Sequence, residues 1–299
     1  MDAITFAKRY RLFLQLMSWG ARVLPQQLYP LLIRTVGRWA NPYLLHCVEI
    51  KSAMSTRFSP DKVRRAWLGW LDSHALFTLD FLHYDMFDAD WLRRCVKVEN
   101  PGLLESLRQS GGLLLTYHTH HQNTMCCALG LSGCKVSAIA SAPEDSPMFA
   151  YIGRWAQRVN VGSEKHFRGG RYLFTNDKRQ LARSIRQCLR GKKVLVSLCD
   201  FHQPTAQSPQ GYILGRVLSP PTGAIGVALK HGVPIYAAMF APQSGQLRLQ
   251  LTRLDAKGGL PAIISDYLAF LESCVLDNPC CWQGWDWFHE LALPDKSLP

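Results

Sequence analysis

Three histidines and an asparagine follow directly after an apolar run in this sequence. The run and the cluster read LLLTYHTHHQNT, from Leu113 to Thr124. Imidazole is both a common metal ligand and a general acid or base, because its pKa of about 6.5 lies close to neutral pH. The cluster therefore allows a metal site, a group of packed polar residues, or a catalytic base at the end of a strand.

The spacing within the cluster argues against a metal site. His118, His120 and His121 begin like the H-x-H-x-D-H run of metallo-hydrolases, but Gln122 and Asn123 stand where Asp and His are required. Neutral amides are poor zinc ligands, so we predict no metal here. His118 directly follows the apolar run and is therefore best placed for acid–base chemistry. His120 and His121 are read as ordinary polar residues at the start of a helix.

Short apolar segments alternate with helical patterns along the rest of the chain. We predict strands beginning at Leu113 and at 136–140, 194–198 and 234–240, with helices at 147–159 and 180–190. This alternation predicts an α/β fold, with one mostly parallel sheet covered by helices. Functional groups collect at the carboxyl ends of the strands in such sheets. His118 lies at one predicted strand end and Asp200 at another.

Proline and glycine mark several predicted helix boundaries. Ser59 before Pro60 has the pattern of an N-cap followed by proline at the first helical position. Asn100-Pro101 begins a short helix that Gly111-Gly112 ends.

The first 58 residues are basic and amphipathic. Apolar positions recur at helical spacing between residues 11 and 38, and Pro25 and Pro30 divide the pattern. Basic residues interrupt it, so we identify neither a signal peptide nor the roughly 20 uninterrupted apolar residues of a membrane span. We expect a cytoplasmic protein in which 1–58 is a helical, membrane-associating segment and 59–299 one domain. Plain core helices are the alternative for 1–58.

The composition fits a basic globular protein. The chain has 299 residues, 47% of them hydrophobic, and a formal net charge of +12. Its ten cysteines lack C-x-x-C zinc spacing and, without an export signal, indicate reduced thiols. Twelve basic residues between 154 and 193 face only two acidic ones. This concentration fits an acidic protein partner, an anionic membrane surface or a solvated helix face. Nothing matches a nucleic-acid-binding module, so we predict no nucleic-acid partner.

The stretch from Gly112 resembles the lipid A late acyltransferases, within the lysophospholipid acyltransferase superfamily. That family carries G-x-L-L-x-x-x-H-x-x-x-x-(D/E) at a strand-to-helix junction, and here the residues are GLLLTYH, with Asn123 in the acidic position. Three later segments also resemble the family, in its order. They are GKKVLVSLCD at 191–200, ILGRVLSPPTGAIGVALKHGVPIYAAMF at 213–240 and the tryptophan-rich NPCCWQGWDWFHE at 278–290. Together these segments cover most of the chain from about Pro101 onward.

The resemblance implies a glycerol-3-phosphate acyltransferase-like fold and an acyltransferase activity. A fatty acyl group would pass from an acyl carrier protein or coenzyme A thioester to a hydroxyl or amine of a lipid-type acceptor. The reaction would take place at the cytoplasmic face of a bacterial inner membrane and need no cofactor beyond the thioester.

The resemblance also assigns roles to particular residues. It implies His118 as general base, Asn123 as the residue that orients it and Asp200 as a supporting acid. The implied substrate contacts are Arg154, Arg158, Arg168, Arg171, Arg216, Thr222 and Gly223, the first four as candidates for holding phosphate. The tryptophans Trp282, Trp285 and Trp287 fit an acyl groove, a membrane interface or core packing.

Two departures from the family pattern leave alternatives open. Asn123 can fix a histidine tautomer but carries no charge to stabilise an imidazolium. The segment 159–180 carries an insertion, so the phosphate-binding arginine of the family cannot be assigned. The alternatives are acyl or aminoacyl transfer to a specialised metabolite or other non-lipid amine, and a degenerate homologue that binds carrier protein or lipid without turnover.

Overall fold

A seven-stranded mixed sheet flanked by helices organises the chain. The computed structural model describes residues 3–142, 149–203, 209–243 and 245–293. The strands are β1 (Val96–Val98), β2 (Gly112–Thr116), β3 (Val136–Ala140), β4 (Tyr172–Phe174), β5 (Val194–Leu198), β6 (Gly211–Ile213), β7 (Arg216–Leu218), β8 (Ile235–Gln243) and β9 (Gln246–Arg253). The helices are α1 (Ala3–Val23), α2 (Tyr29–Leu32), α3 (Cys47–Ser55), α4 (Pro60–Leu82), α5 (Ala89–Cys95), α6 (Pro101–Ser110), α7 (Gln122–Leu131), α8 (Phe149–Glu164), α9 (Lys178–Arg190), α10 (Gly223–Lys230) and α11 (Gly259–Asp277).

The strand order explains why several strand ends meet. The order is β1-β9-β8-β2-β5-β3-β4, and β6 and β7 form a separate hairpin. The neighbours β8, β2, β5, β3 and β4 run parallel, whereas β9 is antiparallel to β8 and β1 is parallel to β9. The predicted α/β class and mostly parallel sheet are therefore confirmed. The finer assignment to an acyltransferase fold remains a proposal.

The apolar runs form strands because each is buried on both faces. All residues of β2 are buried; Leu113 and Leu115 belong to one core cluster and Leu114 to another. This alternation places a hydrophobic core on each side of the sheet. The predicted strands at 136–140 and 194–198 have the observed bounds, and the one at 234–240 is shifted and extended to Ile235–Gln243.

The predicted helix boundaries hold with small shifts. The first helix after residue 58 begins at Pro60 as predicted, although the Ser59 side chain makes no capping hydrogen bond. The helix from Pro101 ends at Gly111, which has a φ of 66°, a conformation that glycine adopts without strain. The helix expected from residue 147 begins at Phe149 within the described part, since 147 and 148 lie outside it.

The N-terminal helices pack onto the remainder of the chain. Phe13 and Met17 of α1 share a buried cluster with Ala75 and Leu79 of α4. Pro25 lies after α1 and Pro30 within the short α2, so the prolines do divide the segment. The boundary at residue 58 stays a prediction.

One helix of the described chain is long and apolar enough to cross a membrane. It is α11, at Gly259–Asp277. Its residues Ile263, Tyr267 and Leu271 are buried in the main core cluster. The same length and composition therefore fit a core helix.

Candidate functional site

The register of two neighbouring strands brings His118 and Asp200 together. Thr116, the last residue of β2, is paired with Leu198, the last residue of β5. His118 and Asp200 each lie two residues beyond these strand ends. His118 Nδ1 and Asp200 Oδ1 are 2.7 Å apart. Because an imidazole nitrogen that faces a carboxylate carries the proton, His118 donates from Nδ1 and leaves Nε2 as its basic nitrogen.

Further hydrogen bonds hold this pair in place. Asp200 is fully buried, and its Oδ2 accepts from the His118 backbone N–H at 3.0 Å and from Trp282 Nε1 at 2.9 Å. The Gln283 backbone N–H donates to the His118 carbonyl at 2.8 Å. The C-terminal tryptophan-rich segment therefore orients both members of the pair. Sequence reasoning missed this role of Trp282, although the tryptophan-rich motif was its signal.

The position of Asn123 corrects its expected role. Asn123 lies in the first turn of α7, and its Oδ1 accepts from the Tyr172 hydroxyl at 3.1 Å. That hydroxyl is also 2.8 Å from Ser163 Oγ. Asn123 was expected to orient His118, but the side chain that contacts the His118 ring nitrogen Nδ1 is that of Asp200. A carboxyl group thus reaches His118 from the residues that follow β5, whereas the Asn123 side chain is hydrogen-bonded toward β4 and α8.

The other two histidines connect the strand-end loop to its surroundings. His120 Nδ1 is 2.8 Å from Gln283 Nε2, and His121 Nε2 is 3.0 Å from Ser73 Oγ. Burial lowers the pKa of His120 well below its ordinary value, which keeps it neutral. In the described part of the chain, no group of three or more His, Cys, Asp or Glu residues is arranged to hold a metal ion.

Two cavities meet at His118. The main cavity has a volume of about 650 Å³ and the side cavity about 360 Å³, and both are lined by His118, Ser141 and Phe201. The main cavity falls within the roughly 300–1,000 Å³ of small-molecule sites. The His118 ring is in edge contact with Phe201 and with Trp287, at centroid distances of 5.9 and 5.3 Å. A base placed at such a junction can act on a group from either cavity.

The walls of the main cavity are largely apolar. Its apolar lining comes from β3, β5, α9 and α10, and comprises Ala138, Ile139, Ala140, Leu181, Ile185, Val196, Leu198 and Ala224. Asn123, Tyr172 and Lys178 add polar groups. Gly223 also lines this cavity, at the first turn of α10, where backbone N–H groups have no partner within the helix. Thr222 is at the N-cap position and its side chain makes no capping bond.

Two of the predicted phosphate ligands lie at the amino ends of the strands, whereas His118 lies at the carboxyl ends. Arg171 directly precedes β4, and Arg168 lies three residues earlier. The amino ends of β3 and β4 point away from the edge that carries His118, because these strands run parallel to β2. Contrary to the sequence-based expectation, Arg168 and Arg171 therefore do not lie at the His118 site. The sequence could not exclude them, since β4 was not predicted.

The other candidate arginines have separate surroundings. Arg158 is exposed on α8 and donates to the Leu82 carbonyl at 3.4 Å. Arg154 lies on the same helix, and its side chain is outside the described part. Arg216 donates to the Leu291 carbonyl at 3.2 Å and lies over the Phe288 ring. Neither the Arg158 nor the Arg216 guanidinium is among the described groups that line the main or side cavity.

Comparison with models of known protein families gives no match for this chain, and comparison with curated protein sequences gives no significant match. The family resemblance therefore rests on the motifs, and any argument for function rests on the site geometry.

Proposed function

We propose that this protein is an acyltransferase of the lysophospholipid acyltransferase type, similar to the lipid A late acyltransferases. It transfers a fatty acyl group from an acyl carrier protein or coenzyme A thioester to a hydroxyl or amine of a lipid-type acceptor. The observation that carries the proposal is the His118–Asp200 pair at the junction of two cavities. A direct transfer needs this arrangement, because donor and acceptor must reach one base at the same time.

The apolar main cavity suits the acyl chain, and the side cavity suits the acceptor. An acceptor hydroxyl gives its proton to His118 Nε2 while its oxygen attacks the thioester carbon. Asp200 stabilises the imidazolium through Nδ1–H. When the C–S bond breaks, the leaving thiolate takes the proton back from His118. The proposed transfer is direct and uses no serine or cysteine nucleophile. Burial raises the pKa of the Cys126 thiol in the main cavity to about 12, so this thiol is poorly suited to that role.

The start of α10 is the proposed position for the thioester oxygen. Gly223 and Ala224 line the main cavity, and the free N–H groups of a first helical turn favour a developing negative charge. This is the role we propose for the Pro221-Thr222-Gly223 motif.

Helix α9 is the proposed docking surface for an acidic carrier protein. Its basic side chains are exposed, and they are Lys178, Arg179, Arg183, Arg186 and Arg190. Lys178 also lines the main cavity, so a carrier on this helix would be next to the acyl site. Opposite charges of this kind increase the rate of association.

The His118→Ala variant tests the reaction. We expect the purified protein to consume a dodecanoyl thioester of acyl carrier protein or coenzyme A and to acylate one of a panel of lipid A precursors, lysophospholipids and amines. His118→Ala should lower that rate by about 10²–10⁴-fold, the usual contribution of a general base. Mass spectrometry of the products identifies the acylated acceptor and measures the rates of the wild type and of His118→Ala.

The control is His231→Ala, at the far end of α10 from the cavity, which should keep the full rate. Carrier-protein binding without thioester consumption by any acceptor would replace the proposal with a degenerate binding protein. Equal activity of both variants would remove His118 from the mechanism.

The N-terminal segment is the proposed contact with an anionic membrane. Ile4, Leu12, Trp19 and Val23 are exposed and recur on one face of α1; Trp19 is 67% and Trp39 76% exposed. No acidic residue occurs between 3 and 48. Exposed tryptophans beside basic residues suit the interface of an anionic bilayer.

Replacing Trp19 and Trp39 together by Ala tests this contact. We expect at least tenfold weaker binding to phosphatidylglycerol vesicles, because burying about half of one indole surface contributes about 2 kcal/mol. Vesicle co-sedimentation measures the affinity. The matched control is Tyr212→Ala, at a 59% exposed aromatic residue in the β6–β7 hairpin. Equal binding by both variants would place the membrane contact elsewhere.

A further inference from the structure

The side cavity contains a charge opposite to that of the chain as a whole. Besides the three residues that it shares with the main cavity, it is lined by His202, Trp287, Glu290 and Leu291. Glu290 is the only Asp, Glu, Lys or Arg among its described lining residues. It is exposed, and no ion pair or side-chain hydrogen bond within the described chain occupies its carboxylate. The chain has 34 basic and 22 acidic residues, so a basic lining would be the average expectation.

The neighbouring groups do not change this polarity. His202 Nδ1 accepts from the Ser219 backbone N–H at 3.2 Å, which is the pattern of a neutral imidazole. Arg216 is not a lining residue, and its guanidinium donates to the Leu291 carbonyl and lies over the Phe288 ring. Asp286, on the same segment as Glu290, does not line the cavity, and its carboxyl group is 3.4 Å from His46. A phosphate would therefore find no cation on the described wall.

Aromatic rings complete the cavity. Trp287 lines the cavity together with Glu290, with its ring centroid 5.3 Å from that of His118, and Phe201 lines the same space. A carboxylate beside aromatic faces is the usual environment for an alkylammonium group, which pairs with the carboxylate and is attracted by the ring quadrupole.

We infer that the side cavity binds an acceptor through a protonated primary amine, held by Glu290 and Trp287, and that this amine is the group acylated. The inference rests on the proposed acyltransferase function and names its acceptor class. The ammonium gives one proton to His118 Nε2, and the free amine attacks the thioester carbon. The C–N bond forms and the C–S bond breaks. The thiolate takes the proton from His118, and the second nitrogen proton is released to solvent.

The test compares octylamine with 1-octanol, which differ only in the charged group. Isothermal titration of the full-length protein without thioester should show octylamine binding about five- to tenfold more tightly than octanol, the range of a partly exposed ion pair with a cation–π contact. Glu290→Gln should remove that preference. The matched control is Glu105→Gln, on the surface of α6, which should keep that preference.

Turnover with a dodecanoyl thioester separates the two proposals. His118-dependent transfer that prefers octanol or a lysophosphatidic acid, and that is unchanged in Glu290→Gln, would overturn the amine inference and leave the acyltransferase proposal standing. Glu290-dependent amine binding without any turnover would keep the amine-binding site, but it would overturn both the acyltransferase proposal and the acylation of the bound amine.

Discussion

The Asp200→Asn variant is expected to lose about 10⁴-fold in the rate of acyl transfer, the size of effect found when a triad carboxylate becomes an amide. The reason lies in the two oxygens of Asp200. Oδ2 accepts from two N–H donors, the His118 backbone and Trp282 Nε1. An asparagine must therefore place its oxygen there and turn its NH₂ group toward His118 Nδ1. This forces the imidazole proton onto Nε2, so the base can no longer accept one from the acceptor.

The comparison with Asn123→Ala shows which residue supports the base. Asn123 contacts Tyr172 and not His118, so its removal should change the rate by less than about tenfold, below the usual contribution of an acid–base group. Steady-state rates with a dodecanoyl thioester measure both variants, and circular dichroism checks that they fold. If Asn123→Ala were slower than Asp200→Asn, the prediction would be wrong, and the residue that supports His118 would be Asn123, as in the family motif. The Asn123→Asp variant adds no charge next to Nδ1, so we expect no rate increase from it.

The second large effect is a loss of stability in mild acid. His74 is buried among Phe13, Tyr43 and His120, with no hydrogen-bond partner for its Nδ1 within the described chain. Burial lowers the pKa of His74 from 6.5 to about 3. Between these two values the unfolded chain binds more protons than the folded one, so the free energy of unfolding falls as the pH decreases below about 6.5. At pH 5 His74 alone costs about 2 kcal/mol. His120, whose pKa is also lowered by burial, acts in the same direction.

Urea unfolding at pH 7.5 and pH 5.0 measures this loss. The His74→Phe variant keeps a ring against Phe13 but cannot bind a proton, so its free energy of unfolding should fall by about 2 kcal/mol less than that of the wild type. His231→Ala, at the C-terminal end of α10, should follow the wild type. An identical loss in all three proteins would mean that His74 does not control the acid response.

Local patterns were sufficient for the strands that position the site. The runs at 113–115, 136–140 and 194–198 are apolar except for Ser137 and Ser197, because both faces of each strand are covered, and this is visible in the sequence. Helical spacing similarly predicted α9, and proline with glycine predicted both ends of α6. Strand β4 was missed because three residues inside an inserted segment carry too short a pattern. Because β4 was not predicted, the positions of Arg168 and Arg171 at its amino end were not predicted either.

The sequence by itself determined which side chains stand at strand ends: His118 after one buried run and Asp200 after another. It could not determine that these two ends are neighbours, because strand order depends on how the helices between them cross the sheet. Only the tertiary structure paired β2 with β5 in the register that joins His118 to Asp200, and drew Asn123 toward Tyr172. The same is true of Trp282 and Glu290, which reach the site from the far end of the chain. Contacts over such separations in sequence are decided by packing, for which a local pattern holds no information.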